Sequence, residues 1–415
     1  MFLEFFPVNR KTEAEILLPV SKSESNRALL LAAWSQGKIK PGRLSDSADT
    51  LILEKLLRQE EKTVFDAEDA GTTFRFLTSY LSVSGRHCLL TGSQRMKERP
   101  IGDLVQALRE LGSQIEYPEK AGFPPIELKG FAYSGKYRIC MENISSSQFI
   151  SSLMMAGPAL PDGIEIELPE NTGSFPYIEL TASMMKSAGI KLEISTKAVK
   201  IPAQVWPEAI LNCEADWSSA SYFYAILACL PAGSAFDLPG LHPESAQGDR
   251  VIADLFRFWH IETKSTSDGI RITKTSEFRA GNKFHYSFEN CPDLALTFIC
   301  LCASSRTEAE FHGLSSLRIK ESDRLEAIRQ ELSKTGIILE IPNGGDSAYL
   351  KGPFPEWPVN PPEFSCHKDH RIAMSLAILL AGKNRRAFFD DAVVVKKSFP
   401  RFWEEIQKAG FSIRI

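Results

Sequence analysis

Seven short polar strings hold most of the residues able to do chemistry in this chain. The first, Ser21-Lys22-Ser23-Glu24-Ser25-Asn26-Arg27, runs straight into the apolar run 28–34. Serines at a helix start cap it, and the open N–H groups there attract anions; Lys22 and Arg27 add full charges. The second, Asp69-Ala70-Gly71-Thr72-Thr73-Phe74-Arg75, enters a helical stretch through a glycine that lets a ligand approach the backbone, or simply turns. In Arg95-Met96-Lys97-Glu98-Arg99-Pro100-Ile101 a charge run meets a proline that starts an amphipathic helix. Most of that run reads as a solvated face, with one arginine free to aim into a cleft. Ser145-Ser146-Ser147-Gln148-Phe149 could bind phosphate without charge, or serve as a serine-rich cap. In Arg318-Ile319-Lys320-Glu321-Ser322-Asp323-Arg324-Leu325, Lys320 and Arg324 are i, i+4 neighbours if the helix has begun. Asp369-His370-Arg371 stands at another helix start, and Lys396-Lys397-Ser398 precedes the last helix. Asp293, ahead of the very apolar run 294–303, reads either as a helix N-cap or as a base at the floor of a cleft.

The common signatures are missing. There is no GxxxxGK[ST] phosphate loop, GxGxxG, HExxH or GxSxG. The seven histidines form no pair at metal-ligand spacing, and the eight cysteines form no CxxC. What remains is a set of cations and hydroxyls at helix starts, spread over the whole chain. That pattern suits a site for more than one anion, where helix dipoles and side-chain charges act together.

The elements that must carry these strings repeat. An amphipathic helix, a break and a short alternating strand recur as LVQALRELG-SQIEY, IELTASMMKSAG-IKLEI, RLEAIRQELSKTG-IILEI and RFWEEIQKAG-FSIRI, breaking at Gly112, Gly189, Gly336 and Gly410. Two weaker copies break near Gln59 and Trp259. Ile101, Leu104, Val105, Leu108 and Leu111 make one helical stripe, and Leu325, Ile328 and Leu332 another. Glycine after such a helix suits the left-handed position that ends it. Residues 337–340 and 411–415 read as strands. Six units in a chain of 415 residues suggest two domains of three units each.

Composition sets outer limits. The chain is 43% hydrophobic and 24% charged, with a formal net charge of −4. This is the profile of a folded globular protein and argues against nucleic-acid binding through bulk charge. The N-terminus has no secretory pattern, and no apolar run approaches the ~20 residues of a spanning helix. A cytoplasmic protein with reduced thiols is expected, with no nucleic acid or membrane partner and working as a monomer.

In order along the chain, SKSESNR, DAGTTFR, LTGSQRMKERPIG, SSSQF, SFPY, EADWSSASYF, RIKESDRL, DHRIAM and KKSFP resemble the strings of the enolpyruvyl transferases, over residues 21 to about 400. RMKERPIG and Lys22-Ser23 point to the branch acting on shikimate 3-phosphate; the branch acting on UDP-N-acetylglucosamine lacks the former and usually carries Lys-Asn at the latter. The resemblance implies an α/β fold in which each domain holds three βαβαββ-type units, with helices packed inside mixed sheets as an inside-out barrel. It places one domain at 21–213 and the other at 1–20 plus 214–415, with the active site in the cleft between them and closure over shikimate 3-phosphate.

The implied reaction joins phosphoenolpyruvate to the 5-hydroxyl of shikimate 3-phosphate and releases phosphate through a tetrahedral intermediate. That is a step toward chorismate and the aromatic amino acids, with no metal or organic cofactor, and the herbicide glyphosate would compete with phosphoenolpyruvate. Carried over residue by residue, Lys22, Ser23, Arg27, Ser146, Ser147, Gln148, Ser174, Asp293 and Lys320 would hold shikimate 3-phosphate. Lys22, Gly71, Arg99, Gln148, Arg324, Arg371 and Lys397 would hold phosphoenolpyruvate. Asp293 would be the base and Glu321 the acid, with Lys22 a second proton carrier. Three positions depart from the family: Asp69 stands for a common Asn, Phe76 for a common Pro, and Ser316 where some members use Asn. Three alternatives stay open: the UDP-sugar transferase, a non-catalytic anion binder on the same scaffold, and an RNA-end-processing relative.

Overall fold

Three mainly apolar helices are buried on every side: Trp217–Cys229, Ala295–Ser304 and His370–Leu380. A helix with no polar face has to be enclosed. In the computed structural model of the chain the three pack on one another at the centre of one unit. The structure describes every residue except 1, 5, 8–10, 60, 142–145, 171, 280, 343, 382–384 and 414–415. The chain divides into two compact units, Met1–Pro19 with Glu214–Ile415, and Val20–Cys213. Each unit has its own hydrophobic core.

Within the units the repeat takes a definite form. Strand Val64–Asp66, helix Gly71–Val83, strand His87–Thr91, helix Gly102–Leu111 and strands Ser113–Glu116 and Ile126–Phe131 make one copy. Its first two strands are parallel; the second pairs antiparallel with the fourth, and the fourth with the third. The same order recurs over 138–201, and over 284–350 in the other unit. A further copy uses Glu13–Glu15 as its first strand, paired parallel with Ala235–Pro239. The copy at the chain's end takes antiparallel partners from its beginning: Phe2–Glu4 pairs with Arg386–Phe389, and Phe6–Pro7 with Phe411–Ser412. The remaining copy, with helices Lys22–Trp34 and Ala48–Leu57, pairs Ile39–Pro41 parallel with Ala209–Leu211.

In each copy the first helix lies at the centre and the second is amphipathic. Gly102–Leu111 buries Leu104, Val105, Leu108 and Leu111, as its stripe predicts, and Arg324–Ser333 buries Leu325, Ile328 and Leu332. Gly112, Gly189, Gly336 and Gly410 all take positive φ. In one of the two weaker copies the left-handed residue is His260, at φ 60°, one past the expected break at Trp259.

Two boundaries differ from the sequence reading. The helix after Pro100 starts at Gly102, not at the proline. The helix after Lys320 starts only at Arg324, with Asp323 as its N-cap through a 3.1 Å bond from Glu326 N, so Lys320 and Arg324 are not on consecutive turns of one helix. Regular strand covers only Leu339–Glu340 of residues 337–340 and only Phe411–Ser412 of the described part of 411–415.

Candidate active site

The central helices bring their starts together, and the chemistry gathers there. In the unit containing 214–415, Arg371 is in the first turn of His370–Leu380, Ser218 is in the first turn of Trp217–Cys229, and Asp293 lies just before Ala295–Ser304. Arg371 Nη1 reaches Ser218 Oγ at 2.5 Å, and Nη2 reaches Asp293 Oδ2 at 2.9 Å. Three separate helix starts thus meet within one guanidinium's span. Tyr222 OH lies 3.5 Å from Arg371 Nη1.

Asp293 is not an N-cap. Its Oδ1 takes Arg324 Nη1 at 3.0 Å and lies 3.9 Å from Lys320 Nζ. Burial alone would raise its pKa, but Arg371, Lys320 and Arg324 outweigh burial and hold the carboxyl below its ordinary value. Arg324 is buried and gripped on all sides. Its Nε donates to Asp369 Oδ2 at 2.8 Å, and its Nη2 donates to Glu321. Burial opposes its charge, yet Asp369, Glu321 and Asp293 push its pKa further up. Asp369 also caps the helix of Arg371, through Arg371 N at 2.9 Å. Lys397 Nζ reaches the carbonyl of Lys368, the residue before Asp369, at 3.2 Å. Lys320, Glu321, Arg324, Arg371 and Lys397 therefore surround one helix start and one carboxylate.

In the unit 20–213 the helices Lys22–Trp34, Gly71–Val83 and Ser147–Ala156 play the same part. Ser21 caps the first, accepting from Glu24 N at 3.4 Å, and Ser146 caps the third, accepting from Gln148 N at 3.3 Å. Ser145, the other serine of that string, lies outside the described residues. Lys22 Nζ pairs with Asp49 Oδ2 at 3.0 Å, and the Asp49 carbonyl accepts from Thr73 Oγ1 at 3.1 Å, joining the first two helix starts. Gln148 joins the second to the third: its Nε2 donates to Thr72 Oγ1 at 2.9 Å, and its Oε1 accepts from Arg75 Nη1 at 2.7 Å.

Gly71 has a reason to be glycine beyond a turn. A Cβ there would fall on the guanidinium of Arg99, a buried side chain. The space expected for a ligand beside the backbone is where Arg99 lies, so the two expected phosphoenolpyruvate residues are in contact. Arg27 sits deeper than its string suggests. It is 2% exposed, and four of its N–H groups go to Thr181 Oγ1, the Ser23 carbonyl, Ser151 Oγ and the Tyr177 carbonyl. Burial lowers its pKa to about 10. One Nη1 hydrogen has no protein acceptor among the described residues. The departure Phe76 is fully buried under Arg27, 5.6 Å from ring centre to guanidinium carbon. The other departure, Asp69, accepts from Ser93 Oγ. Ser174 precedes helix Phe175–Ser187 in a left-handed conformation, φ 59°, uncommon for serine.

Sequence reasoning gave no role to Asp49, Thr72, Arg75, Ser218, Tyr222, Asp249 or Asp369. Arg75 and Asp369 sat inside strings already singled out. Asp49 stands in the first turn of helix Ala48–Leu57 and Asp249 in the 3-10 turn Gly248–Val251, with no spacing to mark them. Asp249 is buried with its Oδ1 unpartnered among the described residues, and burial, then Asp293, raises its pKa to about 7.

A mixed α/β fold of repeated units, with arginines and lysines gathered at buried helix starts, is that of the enolpyruvyl transferases. Two solved structures share it across the full chain: EPSP synthase from Acinetobacter baumannii, with a TM-score of 0.76, 21% identity and 100% of both chains covered, and the enolpyruvyl transferase NikO from Streptomyces tendae, with 0.73, 13% identity, and 100% of this chain and 98% of that one covered. The family model for EPSP synthase (3-phosphoshikimate 1-carboxyvinyltransferase) matches residues 53–406. The 3-phosphoshikimate 1-carboxyvinyltransferase of Bacteroides fragilis is 39% identical over 404 residues, 97% of each chain, and that of Actinobacillus pleuropneumoniae serotype 5b is 33% identical over 439 aligned positions, also 97% of each. The chain belongs to the EPSP synthase family.

Proposed function

We propose that this protein transfers the enolpyruvyl group of phosphoenolpyruvate to the 5-hydroxyl of shikimate 3-phosphate and releases phosphate. The observation that carries the reading is Asp293 held between Arg324 and Arg371, in a chain of this family. Two multiply charged anions have to be brought together against their repulsion, and planar guanidiniums grip phosphate and carboxylate through paired N–H groups. Arg99, Arg324, Arg371 and Lys397 take phosphoenolpyruvate, beside Gly71. Ser23, Arg27, Ser146, Ser147, Ser174, Asp293 and Lys320 take shikimate 3-phosphate. Lys22 and Gln148 touch both. The two sets serve one reaction, in a cytoplasmic monomer that needs no cofactor.

In the addition step the 5-hydroxyl oxygen bonds to C2 and its proton passes to Asp293, while Glu321 protonates C3 and Lys22 is the second proton carrier. In the elimination step the C2–phosphate bond breaks, C3 returns its proton and the enol ether double bond re-forms. Without substrate, Asp293 is bound by two arginines and is a poor base. An anion that takes those arginines frees the carboxylate and raises its basicity just where the hydroxyl arrives. The glycine and arginine at 71 and 99 also suit competition by glyphosate.

The test is phosphate release from phosphoenolpyruvate with shikimate 3-phosphate, with UDP-N-acetylglucosamine, and with neither. Release should need shikimate 3-phosphate, and Asp293→Ala and Lys22→Ala should each lose most turnover while staying folded. Release with the UDP-sugar alone, or ligand binding without any release, would reject the assignment.

A further inference from the structure

No two histidines stand at metal-ligand spacing in the sequence, but the fold brings two together, outside the polar strings. Strands Phe284–Ser287 and Ala309–His312 run parallel, with His285 opposite Glu310 and Ser287 opposite His312. Alternation puts residues 310 and 312 on one face, and the register adds 285 to it. The other face carries Phe284 and Phe311 into the core, so the three polar side chains lie on the outside of the sheet. One ligand atom from each of His285, Glu310 and His312 lies within 4.8 Å of the other two.

We propose that His285, Glu310 and His312 bind a divalent transition-metal ion, with zinc the best match. Two imidazoles and a carboxylate are a zinc donor set with a position left open, whereas magnesium and calcium prefer oxygen alone. Zinc ligands lie about 2.0–2.2 Å from the ion, so tetrahedral neighbours are roughly 3.3 Å apart. His285 Nδ1 and Glu310 Oε2 are already 3.1 Å apart. The His285 and His312 rings lie 4.9 Å apart at 56°, and small side-chain rotations on an open face bring the third donor in. A second group orients that donor. His312 Nδ1 bonds Ser347 Oγ at 2.9 Å, which fixes the ring and leaves Nε2 for the ion, as outer partners of metal histidines do. The competitor is Lys283, whose exposed ammonium bonds Glu310. A surface pair of that kind holds weakly and gives way to an ion.

Zinc titration by calorimetry on the intact protein tests this, with His285→Ala/His312→Ala and Ser347→Ala beside it. Accessible thiols such as Cys140 compete for zinc, so the difference between proteins is what counts. The wild type should bind one more ion than the double variant, Ser347→Ala should weaken that site about 10- to 100-fold, and zinc should raise the melting temperature of the wild type more than that of the double variant. All three side chains are on the outer face, so circular dichroism should match throughout. Equal stoichiometry and affinity in the wild type and the double variant would overturn the site. Either result leaves phosphate release, measured separately, to decide the transferase reading.

Discussion

Arg324 and Arg371 close on one carboxylate, and that arrangement sets a pH signature. Asp293 in the free protein is held below its ordinary pKa, so it keeps its charge well into acid. Once substrate takes the arginines, its pKa moves up. The acid limb of kcat, which reports the bound state, should therefore lie at higher pH than that of kcat/KM, which reports the free enzyme. Coincident limbs, after correction for the titration of the substrate phosphates, would show that Asp293 is never released. Asp249 runs the other way. Its pKa is near 7 in the folded protein against 3.8 ordinarily, so its proton is kept on folding, and its contribution to stability is lost as pH rises from about 4 through 7. Asp249→Asn mimics the protonated form. Urea midpoints of variant and wild type should coincide below about pH 4, and the variant should gain up to about 4 kcal/mol by pH 8, where the wild type has given up that buried proton. A third test concerns Gly71. Alanine there must push the Arg99 guanidinium aside, so KM for phosphoenolpyruvate should rise several-fold with KM for shikimate 3-phosphate unchanged. These residues were unequally legible in the sequence. Lys22, Arg324 and Arg371 announced themselves as cations at helix starts; Asp49, which holds Lys22, and Asp369, which holds Arg324, did not, because they look like any helix-start aspartate until the chain is folded.

At the level of elements, helix starts carry the chemistry and helix ends carry the repeat. The glycine breaks were visible because a left-handed residue after an amphipathic stripe is a local requirement. One weaker copy hid because His260 meets the same requirement without glycine. The glycines differ in what surrounds them. A Cβ on Gly189 would make only an ordinary contact with Pro207 at 3.5 Å, whereas a Cβ on Gly112 would strike the Ala132 carbonyl. Gly189→Ala should therefore cost about 1 kcal/mol, the left-handed penalty alone, and Gly112→Ala about 3 kcal/mol. Equal losses in urea unfolding would mean that backbone strain, not the collision, sets the cost. Asp369 is the most exposed to failure among the caps. It closes the start of His370–Leu380 and holds buried Arg324. Asp369→Ala should destabilise its unit by about 3–5 kcal/mol, since it leaves a buried guanidinium short of a partner.

At the level of the whole molecule, the net charge of −4 concealed the division of the cations. Lys22, Arg27 and Arg99 belong to the unit 20–213, and Lys320, Arg324, Arg371 and Lys397 to the other. No composition pass could have found that the second unit begins with the chain's first strands, because pairings such as Glu13–Glu15 with Ala235–Pro239 span more than two hundred residues of sequence. The order of assembly follows from this. The unit 20–213 is continuous, has its own core and finishes by pairing Ala209–Leu211 beside Ile39–Pro41 near its start. The other needs Asp216 N on the Pro19 carbonyl at 3.0 Å, and the N-terminal strands, before its sheets are complete. A fragment of residues 20–213 should therefore fold alone, with a cooperative melt and slow amide exchange in helices Gly71–Val83 and Ser147–Ala156. A fragment of 214–415 without residues 1–19 lacks a strand partner in three of its sheets and should melt without cooperativity, recovering when residues 1–19 are joined to it. If 20–213 proved unfolded while 214–415 melted sharply, the independence of the cores would be wrong, and stability would have to come from the chain as one body.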